Sequence, residues 1–255
     1  MQSTDLMDRD LAYDDPQFLE SDDARPLRIL AEYLDPLRRF RDERIHDTIV
    51  FFGSARLAAE GPMGRFYQEA RELARLITLW TKELSSPVHR CVVCSGGGGG
   101  IMEAANRGAA EAGGPTIGLN ISLPREQRPN SFISRGLRFQ FRYFFMRKLW
   151  FAHLARAMVV FPGGFGTIDE LMEVLTLAQT GKLSRTLPII LYGTEYWNEI
   201  INFEALVRHG MISREDLRLL AFADEPAGAL GLLQASLEIK AEEKTPAFAH
   251  SRCSD

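Results

Sequence analysis

The chain has 255 residues, 45% of them hydrophobic and 25% charged, with a formal net charge of −4 at pH 7. That length accommodates one large α/β domain or two small ones around a sizeable core. The acidic balance argues against a general nucleic-acid or membrane-surface binder, and no apolar run approaches the ~20 residues a membrane helix needs.

Residues 1–25 are acidic, without periodicity or an apolar h-region. They predict a mobile segment, no signal peptide and a cytoplasmic protein. Leu27, Ile29, Leu30, Tyr33, Leu34 and Leu37 then recur at helical spacing. Residues 1–44 are therefore an N-terminal extension with one helix, which Pro36 is expected to kink or break.

From residue 45 to 240, strands and helices alternate. "HDTIVFFGSAR" reads as a strand running into a Gly53-Ser54 turn, and "GRFYQEARELARLITLW" as an amphipathic helix. "HRCVVCSGGGGG" is a second strand ending in Gly96 to Gly100, followed by the helix "IMEAANRGAAEAGG". "TIGLNISLP" is a third strand, and a polar loop leads to "LRFQFRYFF", read as extended, and the helix "MRKLWFAHLARA". "AMVVFPGG" is a strand and "TIDELMEVLTLAQTGK" a helix; "TLPIILYG" and "LRLLAFAD" add strands, with helices after each. A disordered tail is expected over 241–255.

This alternation predicts an α/β, Rossmann-like parallel sheet with helices on both faces. Ligands bind such sheets beyond the carboxyl ends of the strands. Glycines stand at three of these ends, at Gly53, Gly96 to Gly100 and Gly163 to Gly166. Three such turns converge on one crevice.

The stretch "VVFPGGFGTIDELMEV" is the most informative. Glycines at a strand end let backbone N–H groups approach an anion, and the helix N-terminus behind them favours it. Asp169 and Glu170 are expected in the first helical turn, where they suit the helix dipole yet would repel an adjacent phosphate. The stretch is thus suited to hold a phosphate at one end and an acid near something else.

Other chemistries fit less well. A dinucleotide fold needs its glycine fingerprint at the first turn and an acid at the next strand end; here the glycine run follows the second strand and the next strand ends near Asn120. No Walker motif occurs. Cys91 and Cys94 form a C-x-x-C, but on a strand they point to opposite faces and read as core residues. The five histidines are scattered, so no metal site and no cofactor is expected.

"PGGFGTIDE" (162–170), "GGGGGIMEAANRGA" (96–109) and "YFFMRK" (143–148) together resemble the signatures of the LOG family, in the form of its longer bacterial members. The resemblance covers roughly residues 49–193. It implies a hydrolase that cuts the N-glycosidic bond of a nucleoside 5′-monophosphate, AMP or N6-modified AMP, releasing free base and ribose 5-phosphate. Arg147 and Glu170 would be the catalytic residues. Gly163, Gly164, Gly166 and Thr167 would hold the 5′-phosphate, with Gly53, Ser54, Gly96, Gly97, Gly98 and Lys148 as further nucleotide-binding candidates. Ser54 either caps the first turn or touches ligand, and Asp169 reads as a capping or solvent-facing residue. A homodimer or larger homo-oligomer is implied, with the dense aromatic set from Phe139 to Phe151 serving core, subunit interface or base stacking. The alternatives are a non-catalytic nucleotide-binding or sensing protein of the same fold, and another transferase or lyase using the crevice.

Overall fold

A computed structural model describes residues 11–84, 87–123, 128–183 and 187–237. Two helices come first, α1 (Pro16–Glu20) and α2 (Arg25–Asp42). There follow β1 (Thr48–Phe52), α3 (Gly64–Glu83), β2 (Val92–Ser95), α4 (Ile101–Glu111), β3 (Thr116–Ile121) and β4 (Arg138–Phe141). The second half runs α5 (Phe144–Leu154), β5 (Ala155–Val160), α6 (Phe165–Gln179), β6 (Ile189–Tyr192), α7 (Thr194–Ile200), α8 (Phe203–Arg208), β7 (Leu220–Ala223) and α9 (Pro226–Ser236).

The strands form one parallel sheet in the order β4-β3-β2-β1-β5-β6-β7. This is the Rossmann-like architecture expected from the alternation. Strand side chains alternate between two apolar cores, as the two-residue period requires. Val50 and Phe52 of β1 and Met158 and Val160 of β5 face one core, with Trp150, Phe151, Leu171 and Trp197. Ile49, Phe51, Ala157 and Val159 face the other, with Leu73 and Ile77 of α3 and Ile101 of α4. Burying each large apolar side chain contributes roughly 1.5–3 kcal/mol.

The same alternation separates the C-x-x-C thiols. Cys94 lies in the first core and Cys91 in the second. Burial raises both thiol pKa values well above the ordinary range, which makes them core residues on opposite faces. Among the described residues no group of three or more His, Cys, Asp or Glu is placed to hold a metal. No helix among them is long and apolar enough to cross a membrane.

The N-terminal extension packs against the sheet more closely than its acidic start suggested. Residues 11–24 contain α1 and a fully buried Ala24, while residues 1–10 and 238–255, most of the segments expected to be mobile, lie outside the described residues. Nor does Pro36 break the helix, because α2 runs from Arg25 to Asp42 with Pro36 inside it. The proline removes the N–H that would bond the Glu32 carbonyl, and the Trp150 indole N–H donates to that carbonyl at 3.0 Å instead. Tyr33 and Phe40 pack on the same indole, with ring centroids 5.5 and 5.3 Å away. A residue that is a local defect in α2 thereby docks α2 onto α5.

Strand order fixes where the crevice lies. The chain steps outward from β1 to β2, β3 and β4, then returns through α5 to β5 on the other side of β1. Connections leave β1 and β5 in opposite directions, so a gap opens beyond their carboxyl ends. Gly53-Ser54 and Pro162-Gly163 stand there, linked by the Ser54 N–H donating to the Pro162 carbonyl at 3.0 Å.

Candidate active site

The turn after β5 is built for close approach. The helix α6 starts at Phe165, with Gly164 as its N-cap and no side chain capping it. The first N–H groups of such a helix have no intrahelical partner and form an anion site. A side chain at Gly164 or Gly166 would meet nothing within 4 Å, whereas one at Gly163 would run into Thr167. Thr167 is buried, and the Tyr196 hydroxyl donates to the Gly163 carbonyl at 2.7 Å.

This early start corrects the expected position of the acids. Asp169 and Glu170 are the fifth and sixth residues of α6, and its first turn holds no acidic residue. Neither is therefore a dipole-complementing first-turn residue. One turn further in, Glu170 is only 5% exposed while Asp169 stays in solvent. The displacement moves the carboxylate away from the open helix end.

Glu170 meets Arg147, which α5 projects from the neighbouring element. Arg147 Nη2 donates to Glu170 Oε1 at 3.3 Å, with side chains 15% and 7% exposed. Burial pushes the Glu170 carboxyl up to about 7, against the opposing pull of Arg147 and Lys148. Burial also lowers Arg147, against the nearby carboxylates. Arg147 Nε is buried with no hydrogen-bond partner among the described residues, and the guanidinium lies 5.4 and 5.6 Å from the Phe144 and Phe151 ring centroids. A near-neutral carboxyl beside a fixed planar cation can gain or lose a proton at ordinary pH.

Lys148 takes a different part. Its ammonium bridges Asp169 and Glu173 at 2.7 and 2.6 Å, tying α5 to α6 beside the Arg147–Glu170 pair. Burial draws its pKa down, but the two carboxylates outweigh burial and hold it above the ordinary value. Such a lysine stays protonated, which does not fit a Schiff-base partner for pyridoxal phosphate.

The N-terminal extension supports α5 from behind. Both oxygens of Glu32 accept backbone N–H groups entering that helix, from Arg142 at 2.6 Å and Tyr143 at 3.3 Å. Sequence reading left the extension without a role, since a capping carboxylate 110 residues away leaves no local pattern.

The glycine run after β2 closes the crevice. Gly97 and Gly100 have φ of +72° and +62°, and a Cβ at Gly97 would strike the Asn120 side chain while one at Gly100 would strike the Ser54 carbonyl. A Cβ at Gly53 would lie 2.7 Å from Ile101, and one at Gly96 would lie 3.8 Å from Arg147 Nη1. The three glycine turns thus meet around Ser54, with Gly96 beside Arg147. Ser54 Oγ accepts the Arg56 N–H at 3.1 Å, so it stabilises its own turn. A cavity of about 630 Å³ opens beside Gly163 and Gly164, walled by Ser54, Leu57, Met63, Pro162 and Tyr196 with Arg56 at its edge.

A buried polar network holds the run in place, and sequence reading missed it. Asn106 Oδ1 accepts from Ser95 Oγ at 2.7 Å and Asn130 Nδ2 at 2.9 Å, while its Nδ2 donates to Thr116 Oγ1 at 2.5 Å and the Ile117 carbonyl at 3.0 Å. Every hydrogen-bonding position of that amide is used. Asn130 adds bonds to the Gly97 and Gly98 carbonyls.

Comparison with known proteins places the chain among relatives and fold neighbours. A family profile described as "Possible lysine decarboxylase" matches residues 102–233. A probable cytokinin riboside 5′-monophosphate phosphoribohydrolase of Oryza sativa subsp. japonica, LOG4, is 30% identical over 141 residues, 54% of this chain and 60% of that protein. A second rice protein of that description, LOGL3, is 27% identical over 72% of this chain and 81% of its own length. The cytokinin riboside 5′-monophosphate phosphoribohydrolase LOG2 of Arabidopsis thaliana is 26% identical over 56% of this chain and 67% of its own. Two solved structures share the fold: structural-genomics target TM1055, with a TM-score of 0.53, 22% identity and 74% and 99% of the two chains covered, and the molybdenum cofactor binding protein of Rippkaea orientalis, with 0.50, 20%, 74% and 96%.

Proposed function

The chain belongs to the LOG family, and we propose from that premise that it hydrolyses the N-glycosidic bond of nucleoside 5′-monophosphates, AMP or N6-modified AMP. The observation that carries the reading is the buried Arg147–Glu170 pair, 3.3 Å apart, one helical turn behind an uncapped helix N-terminus.

In this reading the 5′-phosphate sits on Gly163, Gly164, Gly166 and Thr167, at the open end of α6. That anchor places the ribose over Glu170. As the bond from C1′ to the base nitrogen breaks, its electron pair leaves with the base and positive charge spreads over C1′ and the ring oxygen. Ionised Glu170 stabilises that charge and takes a proton from the attacking water, whose oxygen bonds to C1′. The base nitrogen is protonated from solvent or from an acid in the site, and ribose 5-phosphate is released. Arg147 orients the carboxylate through its Nη2 bond to Oε1 and keeps it ionised more readily than burial alone would allow. Lys148 locks α5 to α6, and Gly53, Ser54 and Gly96 to Gly98 wall the nucleotide.

The proposal includes a homodimer. Phe144, Phe145 and Leu149 of α5 and Leu27 and Leu30 of α2 are 41–50% exposed, leaving apolar surface beside the site that self-association would cover. Light scattering at twice the 28.7 kDa chain mass is the expected result.

Product analysis tests the activity. Wild-type protein and Glu170→Gln are incubated with a panel of nucleoside 5′-monophosphates that includes prenylated AMP. Free base and ribose 5-phosphate from the wild type alone are expected. Binding without cleavage anywhere in the panel would replace the hydrolase with a nucleotide-binding protein.

A further inference from the structure

We propose that Asn130 is a positioning residue that turns the peptide N–H groups of Gly98 and Gly99 toward the crevice, where they donate to a ribose hydroxyl oxygen of the nucleotide. The inference rests on the hydrolase reading for the identity of the ligand.

The argument begins with peptide geometry. In a trans peptide the C=O and the following N–H point in opposite directions. The Gly97 carbonyl accepts the Asn130 backbone N–H at 2.9 Å, and the Gly98 carbonyl accepts Asn130 Nδ2 at 3.0 Å. Both carbonyls are therefore drawn to the Asn130 side, and the N–H groups of Gly98 and Gly99 face away from it. Their neighbours are used inside the protein, since the Gly97 N–H donates to Ser95 Oγ at 3.0 Å and the Ile101 N–H to the Ser54 carbonyl at 3.1 Å. Two successive N–H groups on one side of a turn form a concave donor pair that suits an oxygen.

The location selects the oxygen. A Cβ at Gly96, at the head of the run, would meet Met102 Sδ with Arg147 Nη1 3.8 Å away, so the run that carries the pair begins at the reacting end of the site. The phosphate is assigned to the separate turn at α6. The ring oxygen gathers positive charge as the bond breaks and is a poor acceptor, so a ribose hydroxyl is the nearest oxygen to the bond being cut that can accept the pair.

Asn130 is itself held. Its second Nδ2 hydrogen goes to Asn106 Oδ1, and its own Oδ1 accepts the Phe132 N–H at 3.2 Å. The positive φ of Gly97 and Gly100 shapes the ends of the run, and the two bonds from Asn130 fix the orientation of the peptides between them. Asn130→Asp keeps the shape and loses the Nδ2 donors, so an oxygen would oppose the Gly98 carbonyl and let that peptide turn.

The test compares wild type and Asn130→Asp on AMP, 2′-deoxy-AMP and 3′-deoxy-AMP. On AMP, kcat/KM is expected to fall about 10–100-fold, the range for an interaction that reaches the transition state through one hydrogen bond. On one of the deoxy analogues the fall is expected to be under about 3-fold, because the oxygen concerned is already missing. An equal fall on all three substrates makes Asn130 a structural residue only and overturns the proposal, as does no fall on AMP. If the variant does not fold, the amide resonances of Gly98 and Gly99 in the Glu170→Gln protein decide instead. Addition of ribose 5-phosphate must shift both; unmoved resonances in the bound protein overturn it. Absence of cleavage by the wild type would defeat the hydrolase reading, while the amide shifts would still report on the donor pair.

Discussion

Replacing Glu170 by Gln is expected to change the pH dependence of stability as well as activity. Burial raises the carboxyl from its ordinary 4.5 to about 7. A carboxyl whose folded pKa exceeds its unfolded one favours the native state while protonated. Its contribution is complete below pH 4.5 and is lost as pH rises through 7. Between pH 5 and pH 8 the wild type should lose roughly 2–3 kcal/mol from this one group, at about 1.4 kcal/mol per pKa unit. The glutamine of the variant does not titrate, so other groups cancel between the two proteins. For a chain of this size that corresponds to a relative gain in Tm of about 5–10 °C for the variant on going from pH 5 to pH 8. Paired thermal melts at both pH values measure it. A Tm difference between variant and wild type that is the same at pH 5 and pH 8 would refute the assignment of a near-neutral buried carboxyl.

Three further outcomes follow from the same geometry. Removing the Arg147 charge as Arg147→Met takes away what opposes the burial of Glu170, so the rise of kcat/KM with pH near 7 should move to higher pH; an unmoved limb in the pH–rate profile would separate the two residues. Glu32→Ala frees the two N–H groups entering α5 and should cost about 1–2 kcal/mol of stability, read as a lower Tm with reduced kcat, and unchanged melting would deny the extension its supporting role. Gly100→Ala places a Cβ at φ +62° against the Ser54 carbonyl and should cost about 1–3 kcal/mol, measured by denaturant unfolding; a neutral substitution would contradict the turn geometry.

The sheet was legible because strand and helix periods differ and glycines mark the strand ends. The Arg147–Glu170 pair was legible only through motif resemblance, since the two residues lie on different helices and nothing local relates them. Other features escaped because their causes are remote. Pro36 reads as a kink or break, while the indole that satisfies the freed Glu32 carbonyl is 118 residues away from Glu32. Asp169 and Glu170 were placed a turn too early, because glycine at the N-cap leaves no side-chain signal for the helix start. Asn106 and Asn130 are ordinary residues in their own segments, and their meaning arises only where α4, β2 and the loop before β4 come together.

The position of β1 has a consequence for synthesis on the ribosome. This fully buried strand gains β2 early but must wait for β5, which is made about a hundred residues later and at ~5–20 residues per second leaves one edge open for several seconds or more. During that interval an apolar strand with unpaired backbone groups is available to other chains. Arrival of β5 closes the edge just as the chain begins to supply the turn before α6. The emerging protein therefore passes its most aggregation-prone stage immediately before its anion-binding turn is completed, and nucleotide can protect only chains that have already passed it.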